Sequence, residues 1–367
     1  MGKNQKFGPL QLQDIKSEKS YFSYIAIPVI YIIVQAMLSF EIINFFFTQI
    51  LLLALINGIV AMSLNLINGM TGQFSFGQAG FMSVGAYVSA IMTKLVFRPA
   101  MTNYVSTYAL FLVALIIGGL AAALIGFLIG VPSLRLRGDY LAIITLGFSE
   151  IIRVLWRVIP ISGGARGFHS ISRISNFAAI YIALIAIMFM LRNFTKSRYG
   201  RACIAIRENE LAADIMGIDT TKAKILSFVF SAFIAGIGGG LLSHLLAYIN
   251  PELFNQMKST DMVLYVYTGG VGSYSSSLLG ALIFTALPEF FRYLFGNQWR
   301  LVAYALVLIL IMINRPKGIF GKYEFGFMRF GKAESVYQKA ENAGWLVSAI
   351  QFLRQKYNGA DASRKEG

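Results

Sequence analysis

Tyr199 to Asp219, YGRACIAIRENELAADIMGID, is a polar, charge-rich island in a chain that is otherwise mostly apolar. Its residues are mostly helix formers, and Gly217 stands where a helix C-cap would. At about six turns and with this many charges, it is too polar to cross a bilayer. Hydrophobic runs lie on both sides, Phe177 to Leu191 before it and Ile225 to Tyr248 after it. A short polar helix held between two membrane-crossing segments predicts a handle by which something in the cytosol works a membrane domain.

Composition agrees with that frame. Apolar residues make up 56% of the 367 and charged residues only 13%, well outside ordinary globular proportions. Apolar runs long enough for a hydrocarbon core about 30 Å thick recur along the chain. The fold class is therefore an all-α polytopic membrane protein. A net charge of +15 in a soluble protein would raise nucleic-acid binding; here the basic residues gather in a few loops and the tail, which points to membrane orientation. Cys203 is the single cysteine, beside two histidines, His169 and His244. An intrachain disulfide is excluded, and a metal site has no ligand cluster to build on.

Ten segments fall out in order: Tyr21–Phe40, Phe45–Ile67, Met82–Val96, Thr107–Val131, Tyr140–Ile159, Phe177–Leu191, Ile225–Tyr248, Asp261–Thr268, Leu278–Leu294 and Leu301–Ile313. The stretches 73–95 and 261–272 read as re-entrant or broken, which leaves eight full spans on the stricter count. Alternation puts 1–20, 132–138, 193–224 and 314–367 on one side with 4, 2, 6 and 10 Lys/Arg. The loops 94–106, 159–176, 249–260 and 294–300 fall on the other with 2, 2, 1 and 1. The positive-inside rule then predicts both termini, and the island, in the cytosol. Three regions follow: a cytosolic segment 1–20, a membrane domain 21–313, and a basic tail 314–367 whose middle, Ala333 to Lys356, reads as an amphipathic surface helix.

Two Gly/Ser-rich interruptions stand out, one in each half. The first, Asn68 to Phe81, offers Gly72, Gln73, Ser75, Gln78 and Gly80; the second, Gly269 to Ser277, offers Gly269, Gly270 and Ser273. Neutral donors and acceptors beside glycines suit a pathway for a small zwitterion or amide, and helix packing is the competing reading. Their placement fits an internal repeat with the pathway at its interface. Glu150/Arg153 and Glu289/Arg292 share an i,i+3 spacing that lets each pair neutralise itself on one helix face. Such pairs either fix helix depth near the outer boundary or line the solute route. Arg157 reads as snorkelling to that boundary. No nucleotide-binding or hydrolase motif occurs, so the chain reads as no enzyme, and ATP, if it drives the protein, binds to another chain.

The chain resembles the LivM-type membrane permeases of bacterial ABC importers for branched-chain amino acids. The resemblance is carried by Ser63–Phe81 (SLNLINGMTGQFSFGQAGF), Arg135–Arg153 (RLRGDYLAIITLGFSEIIR), Ser197–Ala202 (SRYGRA), Ala205–Gly217 (AIRENELAADIMG), Leu287–Arg292 (LPEFFR) and Arg315–Gly318 (RPKG). It implies a bacterial inner-membrane permease subunit working with a sister permease, two cytosolic ATPase subunits that bind ATP and Mg, and an external solute-binding protein, with no cofactor of its own. It also implies a coupling segment that docks on the ATPase, with Arg201, Arg207, Glu208, Glu210, Ala212, Ala213 and Gly217 as its residues. Gln78 stands where the family commonly has histidine, and Tyr274 to Ser277 replaces a stretch usually holding glycine and proline. These departures keep urea or a short amide open as alternative cargo. An ion-coupled carrier working alone is the remaining alternative, disfavoured because the carboxylates read mostly as boundary residues.

Overall fold

The computed structural model describes residues 18–40, 44–97, 103–134, 138–315, 318–321 and 323–325. They form an all-α protein whose helices are α1 (Glu18–Ser39), α2 (Phe45–Asn65), α3 (Gln78–Ile91), α4 (Tyr104–Ser133), α5 (Asp139–Val158), α6 (Phe177–Lys196), α7 (Arg198–Glu208), α8 (Glu210–Ile215), α9 (Thr220–Leu246), α10 (Gln256–Gly269) and α11 (Tyr274–Asn314). Single π-helical turns extend α2 through Met70 and α3 through Val96. Nearly all of the segment 1–20, the tail past residue 325 and the expected helix at Ala333–Lys356 lie outside the described residues.

Six helices among the described residues are long and apolar enough to cross a membrane, including Phe45–Met70, Tyr104–Ser133 and Thr220–Leu246. The other expected segments differ for physical reasons. Helix α5 has the length, but Glu150, Arg153 and Arg157 make it amphipathic. Helix α10 has only 14 residues, and α1 and the end of α11 contribute the shorter apolar stretches Pro28–Ser39 and Val302–Asn314. The two last expected spans are the two parts of α11, broken at Gly296, whose φ of 77° and ψ of 178° are not helical.

The core is the mutual packing of α3, α4 and α9, and glycine makes it possible. A methyl group on Gly85 would collide with the backbone of Gly236, and one on Gly239 with the carbonyl of Met82. Gly118 in turn meets the Gly85 carbonyl. With no hydrophobic force between helices in lipid, this close backbone approach supplies dispersion contact instead. Those glycines pack helices; they do not line a channel.

Both Gly/Ser interruptions are breaks in helix, as expected. Residues 71–77 are non-helical between α2 and α3, and 270–273 between α10 and α11. Irregular backbone at this depth survives only if its polar groups are met. Here Asn68 Oδ1 accepts from Ser75 N at 3.2 Å, and Thr145 Oγ1 from Phe76 N at 3.1 Å. The two interruptions touch where Gly69 lies against Gly272, a Cβ on Gly69 falling 2.5 Å from Gly272 N. Just upstream, at the end of α2, Asn65 Oδ1 accepts from Gly272 N at 2.9 Å, and its Nδ2 donates to the Ser273 carbonyl and Ser277 Oγ, both at 2.6 Å.

The connections sort into two groups. At one end Gly69, Gly72, Arg207, Gly272 and the segment 318–325 meet. At the other, Lys94 Nζ donates to the His169 carbonyl, Phe168 bridges to Ile249, and Arg153 and Arg157 reach Glu252. The second group joins three connections that alternation puts on one side, 94–106, 159–176 and 249–260.

Candidate functional site

The island is two helices, not one. Asn209 leaves helical geometry (φ −162°, ψ 109°), and its side chain accepts from Ala212 N at 3.1 Å, ending α7 and capping α8 in one residue. Asparagine before Glu-Leu-Ala-Ala carries an N-cap pattern that the sequence reading passed over. Helix α8 closes with a Schellman motif: Ile218 N donates to the Ala213 carbonyl and Gly217 N to that of Asp214. Gly217 has φ +82° and open space around it, so its role is backbone geometry.

The coupling residues divide by what they touch. Arg201 Nη1 donates to the Lys196 carbonyl at 2.6 Å and finishes α6. Ala213 is buried with Cys203, Ile206 and Ala223 in a small core joining α7, α8 and α9. Burial raises the Cys203 thiol above its ordinary pKa, so it stays protonated and inert. Glu210 pairs with Lys224 of α9 at 2.7 Å, and the Lys224 side chain is only 7% exposed. Glu210 thus ties α8 to the membrane domain, and Ala212 and Glu208 are exposed.

Arg207 joins the two predicted sites. Its Nη1 donates to the Gly69 carbonyl at 3.0 Å, while Nη2 holds Glu208 at 2.7 Å. A Cβ on Gly72 would lie 3.1 Å from Arg207 Cγ, and one on Gly272 would lie 3.3 Å from its guanidinium. One coupling-segment side chain therefore rests on both breaks at once, an arrangement invisible to a residue-by-residue reading.

Sequence reasoning missed the outer face of α8. Leu211 of α8 is 63% exposed and Ile215 86%, and Met216, the C-cap residue, is 81% exposed. Their i, i+4, i+5 spacing was legible as an apolar stripe in a polar segment.

The expected pathway residues are mostly committed to structure. Gln78 is fully buried, and its Nε2 donates to Ser63 Oγ and Ser231 Oγ, both at 2.7 Å, binding α2, α3 and α9. Its Oε1 and that of Gln73 have no partner among the described residues. Ser75 Oγ accepts from Gly77 N at 3.3 Å. Gly80 packs on Ser149 Cα at 2.9 Å from its would-be Cβ. Gly269 faces the Ser276 carbonyl, and Gly270 (φ +148°) faces that of Gly321. Ser273 caps α11, accepting from Ser276 N at 3.2 Å, and donates to the Tyr323 carbonyl.

The ion pairs form as spaced. Glu150 and Arg153 meet at 2.7 Å, and Glu289 and Arg292 at 3.0 Å. Arg153 also reaches Glu252 at 2.8 Å. Arg157 does not simply snorkel, for it binds the same Glu252 carboxylate. The first pair is thus part of a clasp between α5 and the connection after α9.

Comparison with known proteins agrees with this architecture. Residues 46–313 match the model of the branched-chain amino acid transport system permease component, and the chain belongs to that family. It is 31% identical over 303 residues to the high-affinity branched-chain amino acid transport system permease protein LivM of Escherichia coli K12, covering 73% of this chain and 68% of the relative. It is 26% identical over 286 residues to the LivH permease of the same organism, covering 72% and 91%. A probable LivM permease of Methanocaldococcus jannaschii is 25% identical over 308 residues, covering 71% and 89%. No solved structure matches the chain.

Proposed function

We propose that this chain is the membrane permease subunit of an ATP-driven importer that carries branched-chain amino acids. A sister permease, two cytosolic ATPase subunits holding ATP and Mg, and an external solute-binding protein complete it. Family membership supports the cargo and the class. The observation that carries the mechanism is α8: an apolar outer face of Leu211 and Ile215, continued by the C-cap Met216, on a helix tied inward through Glu210–Lys224 and, two residues before its N-cap, through Arg207. A partner seated on that face moves α7 and α8 together, and Arg207 passes the displacement to both helix breaks. The Lys/Arg-rich connections support a cytosolic position for this end and for both termini, with a bacterial inner membrane as the setting. The two touching breaks, one from each half, support an internal repeat.

The test is a triple substitution, L211S/I215S/M216S, in the tagged permease. Membrane insertion stays intact, and the ATPase subunit no longer co-purifies; losing even one apolar anchor of this kind costs roughly 1–3 kcal/mol of binding. Normal ATPase recovery and solute-stimulated hydrolysis would remove α8 from the coupling role.

A further inference from the structure

The sequence places Lys258 in an outer loop, and the structure moves it into the membrane domain. Helix α10 begins at Gln256, and Lys258 Nζ donates to Asn57 Oδ1 at 2.9 Å. Asn57 Nδ2 donates in turn to Thr285 Oγ1 at 3.0 Å. Asn57 lies about 18 Å along the Phe45–Met70 span and Thr285 about 16 Å along the Tyr274–Leu294 span, at 1.5 Å per residue, so both sit near the middle of their spans. Asp261 follows Lys258 by three residues on α10, the i,i+3 spacing that puts two side chains on one helix face.

This pair is unlike the other ion pairs. Glu150 and Glu289 bind their arginines directly. Among the described residues Asp261 accepts no hydrogen bond, and Lys258 uses one of its three N–H groups. Both remain part-exposed, and Asp261 shares the less covered face of α10 with Met257, Thr260 and Leu264. Ionisable groups at this depth are costly, and a buried pair is seldom more stable than apolar residues of equal volume. Stability therefore gives no reason to keep them.

We propose that Lys258 and Asp261, backed by Asn57 and Thr285, form an intramembrane recognition site for the zwitterionic head of an α-amino acid. The inference rests on the importer reading and adds the substrate contact. Cβ atoms three residues apart on a helix are about 5–6 Å from each other, so the two side chains can straddle one ammonium–carboxylate unit. Asp261 takes the ammonium and Lys258 gives its spare N–H groups to the carboxylate. A lone cation would meet Lys258 as a like charge, and a lone anion would meet Asp261. Only a dipolar ligand satisfies both.

The experiment measures L-leucine uptake by the complete importer in proteoliposomes, with solute-free ATP hydrolysis and the melting temperature of the solubilised complex. D261N lowers uptake by at least about tenfold while assembly and solute-free hydrolysis persist. K258M/D261N removes both charges, so it melts as the native complex does, yet still fails to transport. D261E, which keeps the charge and moves it by one methylene, slows uptake several-fold without changing the melt. Uptake at the native rate by the double variant, or by D261N, would make the pair purely structural and overturn the inference. A native complex that takes up no L-leucine would overturn the importer reading itself, and the inference with it.

Discussion

Gly239 meets the Met82 carbonyl across the α3–α9 contact, leaving no room for a side chain, whereas a Cβ on Gly147 of α5 would meet nothing within 4 Å. The two glycines therefore answer oppositely to the same change. Gly239→Ala overpacks a backbone contact and costs about 1–3 kcal/mol or more. Gly147→Ala fills open space in a helix and is neutral or stabilising by up to about 1 kcal/mol. Thermal melts of the solubilised protein check both, and equal melts would show that the α3–α9 contact is looser than described. Glycine richness was plain in the sequence, but not which glycines pack and which bend the chain. Gly85, Gly236 and Gly239 carry the packing, while Gly72 and Gly217 sit at positive φ. Composition cannot separate these roles, because both need only the missing Cβ.

At the scale of elements, the segment after α11 acts as a strap over the second break. Ile319 N and Phe320 N donate to the carbonyls of Thr268 and Gly269 at 2.7 and 3.1 Å, satisfying the end of α10. Glu324 accepts from Tyr274 N at 2.7 Å and Ser275 Oγ at 2.8 Å, at the start of α11. Withdrawal from water pushes its carboxyl up to about 7, against the hydrogen bonds that favour its charge. A carboxyl whose docked pKa is raised binds its proton more tightly when docked. Its contribution is complete below the ordinary carboxylate range and is lost as pH rises through about 7. Hydrogen exchange at Phe320 and Phe325, corrected for the intrinsic pH dependence, should therefore show the strap loosening as pH rises from the ordinary carboxylate range to about 7. In E324Q that dependence disappears; a strap that still loosens with pH in E324Q would clear the carboxyl. None of this was legible beforehand, since the seven residues from Gly318 read only as the start of a polar tail. Their partners lie about fifty positions upstream.

For the whole molecule, the orientation read from 22 against 6 basic residues makes a direct claim. Cys203 is buried, so a Cys203→Ser chain provides a background for single exposed cysteines. A membrane-impermeant thiol reagent applied outside intact cells should label Arg166→Cys and not Glu208→Cys, and inside-out vesicles should reverse the result. Labelling of Glu208→Cys from outside would invert the protein and separate α8 from any cytosolic ATPase.

The sequence by itself determined the class, the all-α membrane fold and the position of the polar island between two apolar helices. Those properties are set by hydropathy, charge counts and local order along the chain, and each is a sum over neighbouring residues. Only the tertiary structure decided that the two breaks touch, that Arg207 rests on both, and that Lys258 reaches Asn57 near the middle of its span. The physical reason is separation: 138 residues divide Gly69 from Arg207 and 201 divide Asn57 from Lys258. A pattern read along one helix carries no information about which distant helix its side chains will meet. The island that looked like a single polar helix is thus a capped pair, apolar outward on α8 and anchored inward by Arg207.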